Sequence, residues 1–342
     1  MPDFTFSELL WFYLGQPWVF ALLAFVLCCV VLVLRMRRGS RGPALELDTA
    51  VPLVLRWTAC ALLVLWAFRA TLPWVSSVFW GAGLALRWVF PPFSELILLV
   101  LPSVIAMVGL MCFEYSQRKQ ISLKEEPGFV AERRYWHTYL GQAPIAAATS
   151  LLGALAVLAI WAGVGSTKDP EGWFIGTPVA GNDRVTGSAP TFGWTYGVPS
   201  FTFAVLLVVI GIIVLRRRAL APFPAAMAQS DQVWQRRVNA AGVSQLIISV
   251  LGLVLGSAFA IIGFGARSEL SYEIPSSGES GTWGTSFAAF SDPALAIWLI
   301  LTVCSLALLL LLVVTGRPLG FGRIASGRAA ASQGVPSERS NV

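Results

Sequence analysis

Few residues in this chain have the types and spacing that catalysis needs. His137, in RRYWHTY, is the only histidine. A general base must lie within reach of a nucleophile or carboxylate. Its neighbours Glu132, Arg133, Trp136 and Tyr139 suit an interfacial anchor better than a proton relay. Glu125 and Glu126 are adjacent carboxylates, but Pro127 follows at once and the pair lies in a polar loop, so paired acid–base work is not expected there. The motifs H-E-x-x-H, G-x-x-x-x-G-K-[ST] and G-x-S-x-G are all absent. Cys28, Cys29, Cys60, Cys112 and Cys304 fall in or at the ends of apolar stretches, without the Cys/His spacing of a zinc site. No cofactor and no catalytic role are expected.

The remaining candidates are charges and aromatic residues near the ends of apolar stretches. Arg69 closes one such stretch and Glu95 opens the next. If the two stretches form a hairpin, the side chains are neighbours, either as an ion pair or as a grip on a ligand. Arg56 lies near the other end of the first stretch and can reach the interface by snorkelling. Trp194 and Trp283 each stand late in a long loop and are candidates for ligand contact. The same loops carry Asp169, Glu171, Asp183, Glu269, Glu273, Glu279 and Asp292, which make either a solvated acidic surface or a cation-sensing one. Tyr272, Ile274, Trp283 and Phe287 flank the turn Pro275–Ser276–Ser277–Gly278 in a pattern that suggests a small β-hairpin.

What must position these residues is a set of membrane helices. The 342 residues are 56% hydrophobic and 12% charged, with mean hydropathy +0.72. A soluble domain is nearer about 25% charged. Apolar runs of about 18 residues or more match a bilayer, and they are continuous rather than alternating, which excludes a β-barrel. The composition predicts an all-α polytopic membrane protein with about seven transmembrane helices, near residues 17–34, 51–71, 95–113, 143–164, 200–215, 241–264 and 294–314. Residues 1–15, rich in aromatics, form an interfacial segment. A short outer interfacial or re-entrant helix is expected near 73–90. A full crossing there would invert everything downstream and expose the basic segments outside.

Orientation follows from charge. Eighteen of the 24 lysines and arginines fall in segments that this layout places inside; the exceptions are Arg56, Arg69, Arg87, Lys168, Arg184 and Arg267. The N-terminus is therefore outside and the C-terminus inside. The net charge of +6 reflects this asymmetry rather than nucleic-acid binding. The multi-pass chain is expected in a bacterial inner membrane.

Arg133–Arg134, Gln142 and Gly153 recur as Arg236–Arg237, Gln245 and Gly256, which suggests an internal repeat. The chain divides into an N-terminal membrane region (1–114), a cytoplasmic loop (115–142), hairpin repeat A (143–218), hairpin repeat B with its preceding loop (219–315) and a disordered tail (316–342). Gly153 and the pair Gly252 and Gly256 are expected to pack the two hairpins on each other or a homodimer together. The expected role is a non-catalytic membrane subunit of a transport complex. Its inner loops would dock a cytoplasmic partner, an ATPase or a signalling protein. The alternative is a membrane sensor that perceives a ligand through its two outer loops.

Overall fold

The computed structural model describes residues 16–37, 52–78, 91–122, 137–168, 173–179, 187–221, 229–267, 269–274, 279–285 and 287–315. Seven long helices account for most of them: α1 (Pro17–Arg37), α2 (Leu53–Val78), α3 (Pro91–Ser122), α4 (Gln142–Val164), α5 (Trp194–Leu220), α6 (Gln229–Ala266) and α7 (Ser291–Thr315). A single helical turn, His137–Leu140, precedes α4, and Gly141 breaks the two apart at φ 76°, a conformation glycine adopts without strain. Six of the helices are long and apolar enough to cross a membrane, and α1 is a shorter apolar one. The chain is a polytopic helical membrane protein.

The helices are organised around α6. Of its candidate span, 72% is buried, against 22–39% in the other five. It packs against α7, α4, α3 and α5, with α2 also in contact. A helix facing lipid needs an apolar outer surface. Trp57, Val64 and Phe68 on α2 and Val157 and Ile160 on α4 supply such surfaces. An enclosed helix can carry polar groups if they find partners. Gln245 of α6 donates from Nε2 to the Leu308 carbonyl of α7 at 2.8 Å, and Ser249 bonds back to the Gln245 carbonyl at 2.7 Å.

The closest seam is α6 on α7. A methyl group added at Gly252 would overlap the Ser305 hydroxyl, and one at Gly256 would sit 3.1 Å from Thr302 Oγ1. Small residues at these positions let the two backbones approach. The glycine pair thus packs α6 within its own hairpin, whereas Gly153 on α4 has open space around it. The proposed repeat finds no support at these positions. Gln142 is exposed where Gln245 is buried, and Gly153 is exposed where Gly256 is buried.

The contacts define two ends. At one, Phe20 of α1 meets Trp66 of α2 and Trp298 of α7, and two antiparallel sheets lie nearby in the chain. The first has the order β1 (Thr167–Lys168), β2 (Phe174–Val179), β3 (Gly187–Pro190); the second pairs β4 (Glu269–Ile274) with β5 (Glu279–Gly284). The register runs from Glu269 opposite Gly284 to Ile274 opposite Glu279, so the second loop forms the hairpin its sequence suggests. The three-stranded sheet is not signalled by alternation. At the other end lie the arginines of α5 and the first turns of α6. We call these the sheet end and the basic end.

Thr58 of α2 faces Gly109 of α3, while Arg69 of α2 faces Leu98 of α3. The two helices are therefore antiparallel, with Val78 and Pro91 at the same end. Residues 73–78, expected in a separate re-entrant piece, continue α2; residues 79–90 lie outside the described residues. So do segment 1–15, Arg133–Arg134, the Glu125–Glu126 pair and tail 316–342. The inner loop expected across 216–240 is mostly helix, because α5 runs to Leu220 and α6 begins at Gln229. Val238 and Ala240 are buried and extend the apolar face of α6 past the expected start of its span.

Gly252→Leu is expected to cost about 1–3 kcal/mol through overpacking. Gly153→Leu is expected to stay within about 0.5 kcal/mol of wild type. Thermal unfolding of the two variants in detergent compares them directly; equal losses would contradict the glycine seam.

Candidate functional site

Two polar clusters stand out, one within the bundle and one at its basic end. The first is built on a proline. Pro102 lies inside α3 and has no N–H to offer the carbonyl four residues earlier, that of Leu98. Arg69 of α2 answers that carbonyl from Nη1 at 3.4 Å, and the same nitrogen reaches Ser257 Oγ of α6 at 3.2 Å. Arg69 thus ties three helices together. Among the described residues no salt bridge joins it to Glu95, whose side chain is exposed. Ser103, beside the proline, is 1% exposed, and its hydroxyl has no hydrogen-bond partner among the described residues.

The second cluster gathers the ends of helices. The last carbonyls of a helix have no partner within it and carry partial negative charge. Arg56 of α2 donates from Nε and Nη2 to the Val313 carbonyl, in the last turn of α7, at 3.1 and 2.8 Å. Arg236 of α6, 4% exposed, donates to the carbonyl of Ala221, the C-cap residue of α5, at 2.9 Å. Its guanidinium lies 5.9 Å from the Tyr139 ring centroid. Arg218 of α5 grips Glu114 of α3 twice, through Nε to the carboxylate and through Nη2 to the backbone carbonyl, both at 2.8 Å. The Phe113 ring lies 5.4 Å beneath that guanidinium. The two charged side chains are only 9% and 11% exposed. A buried pair recovers its desolvation cost only with good geometry and further hydrogen bonds, and the fork of Arg218 supplies both.

A narrow cleft opens beside this cluster, lined by Tyr139, Arg218, Arg236 and Asn239 with Leu215 and Val243 beneath. Its volume is about 10 Å³, room for about one water-sized group. A second cleft of about 10 Å³ lies at the sheet end between Trp161, Thr191, Thr285 and Phe287. There Trp161 packs edge-on against Phe287 and Phe290 at 5.2 and 5.5 Å. Thr285 donates to the Ala266 carbonyl at 2.7 Å, and Arg267 pairs with Asp292 in the first turn of α7.

The other sequence candidates are placed apart from one another. Trp194 begins α5 and its indole covers Gly163 of α4. Trp283 lies on β5, opposite Leu270 of β4. His137 is exposed, in the turn before α4. Among the described residues no group of three or more His, Cys, Asp or Glu is placed to hold a metal ion.

Glu114, Arg218, Arg236 and Asn239 escape a reading that treats charge as the border of a span. Their signal is helical spacing. Ala106, Leu110 and Phe113 form a buried stripe that Glu114 extends, and Leu207, Gly211 and Val214 form one that Arg218 extends. Compared with known proteins, no family model matches the chain, and no match is found among curated proteins or solved structures.

Arg69→Met removes the donor that answers the Leu98 carbonyl and is expected to cost about 1–3 kcal/mol. Pro102→Ala restores an N–H within α3, so the double variant is expected to recover part of that loss. Additive losses in a thermal-unfolding double-mutant cycle would show that the proline and the arginine are unconnected.

Proposed function

We propose that this integral membrane protein is a non-catalytic subunit that holds a cytoplasmic partner at its basic end, as in a transport complex. The observation that carries the reading is the length and bracing of α6. Its 38 residues span about 57 Å, nearly twice the roughly 30 Å of a bilayer core. The excess includes the turns around Arg236, where α6 is fixed to the C-cap of α5. On those turns Trp234 is 44% exposed, and Tyr115 on the extended α3 is 73% exposed. Basic segments collect on the cytoplasmic side, so this collar faces the cytoplasm. Its apolar and aromatic side chains, held on rigid helices, suit a protein surface.

A second reading is a sensor acting through the sheet end. It is favoured by the contact of Trp161 in α4 with Phe287 and Phe290, which links the segment after β5 to the helices. A ligand that moved those rings would act directly on α4.

Mass spectrometry of the complex, purified in mild detergent from its native membrane, tests the proposal. A stoichiometric cytoplasmic protein is expected, and Trp234→Glu together with Tyr115→Glu is expected to reduce its recovery at least about ten-fold, since buried interface aromatics carry much of the binding energy. Undiminished recovery from the double variant would contradict docking through the collar. Isolation of the chain without such a partner would move the weight to the sensor reading.

A further inference from the structure

We propose that the cleft at the basic end is a binding site for a phosphate oxyanion, supplied by the headgroup of an anionic phospholipid. The cleft presents two guanidinium groups, Arg218 and Arg236, and no carboxylate lines it among the described residues. Arg218 is fixed from behind by Glu114, and Arg236 is fixed by the Ala221 carbonyl. Both cations are therefore pre-positioned rather than free to fold away.

The independent observation is Asn239. This residue is 6% exposed, and it lines the cleft. Its carboxamide has no hydrogen-bond partner among the described residues. The amide can therefore offer its N–H groups to whatever enters the cleft. The Tyr139 hydroxyl, on another lining residue of the cleft, likewise makes no hydrogen bond among the described residues. Amide N–H, phenol O–H and guanidinium N–H groups are all donors to phosphate oxygens. A volume of about 10 Å³ admits about one phosphate oxygen, with the rest of the headgroup outside the mouth.

The place in the fold selects a lipid over a free ion. The cleft lies where α5 leaves the membrane, beside the exposed Arg216 and Arg217, which attract an anionic leaflet surface. A turn deeper, Ile212 and Ile213 are exposed and apolar, a face on which acyl chains can lie.

The test uses the full chain in detergent and follows thermal unfolding during titration with phosphatidylglycerol, phosphatidylcholine or inorganic phosphate, with native mass spectrometry counting retained lipid. Phosphatidylglycerol is expected to raise the Tm saturably. Phosphatidylcholine is expected to do so less, because its choline brings a cation to an arginine-lined mouth. Asn239→Asp keeps the shape of the side chain and sets a negative charge against the anion; half-saturation is expected to need about ten-fold more phosphatidylglycerol, with an unchanged Tm in phosphatidylcholine. Should that variant fail to fold, Asn239→Leu gives the same comparison without a charge. A saturable shift with inorganic phosphate alone, lost in the variant, would uphold the oxyanion site and overturn its assignment to a lipid. Equal responses to both lipids, or a response that the substitutions leave intact, would overturn the site itself.

Discussion

A polar group inside an apolar slab must be answered from within the protein, and the bundle is arranged around the answers that α6 receives. Water cannot serve the interior of a membrane protein, so each exposed carbonyl or buried side chain there needs a partner on a neighbouring helix. Gln245 finds one on α7, and Ser257 finds one in Arg69 of α2. Because α6 is enclosed, these contacts fix the positions of helices on several sides of it. The glycine seam then brings α7 close enough for the Gln245 bond to form at 2.8 Å. Van der Waals packing and directional bonds thus reinforce each other, which matters where no hydrophobic force separates helix from lipid.

The arginines serve more than orientation. A basic residue beside a span is usually explained by the side of the membrane on which it stays. Here Arg56, Arg218 and Arg236 each donate to a backbone carbonyl of another helix, at Val313, Glu114 and Ala221. Two of these carbonyls belong to helix C-terminal ends, where a cation also meets the favourable end of the helix dipole. Charge asymmetry and helix termination therefore share the same side chains. The consequence is a basic end that is cross-braced, from which α6 continues as a rigid extension. In the proposed reading that extension meets a partner, and the braced guanidinium groups beside it meet a phosphate.

Much of the architecture is legible in the sequence because apolar run length is a strong signal. All seven expected spans coincide with long helices, and α2 and α3 pair antiparallel, as neighbouring spans of the expected layout must. Helix ends were less legible. Pro73 does not end α2, and charge does not end α3 or α5 or begin α6, since helical turns continue past the charged residues. The site was the least legible part. Arg69 and Glu95 are near in the chain's hairpin, yet the guanidinium turns to a carbonyl released by Pro102, a relation between three positions that no spacing rule describes. Glu114 and Arg218 stand 104 residues apart, and only the continuation of two buried stripes marks them as neighbours. The repeat inferred from matched residues finds no support for the same reason. Identical residue types at a fixed offset say nothing of the environment that packing gives them, as Gly153 and Gly256 show.

The most direct test of this account asks which end of the bundle faces the cytoplasm. Single cysteines at Trp234 and at Lys168, introduced after the five native cysteines are replaced, would be treated in intact cells with a membrane-impermeant maleimide. The account predicts labelling at position 168 in intact cells and at position 234 only after permeabilisation. Labelling of position 234 in intact cells would place the braced arginines outside and contradict both the cytoplasmic docking surface and the orientation drawn from charge.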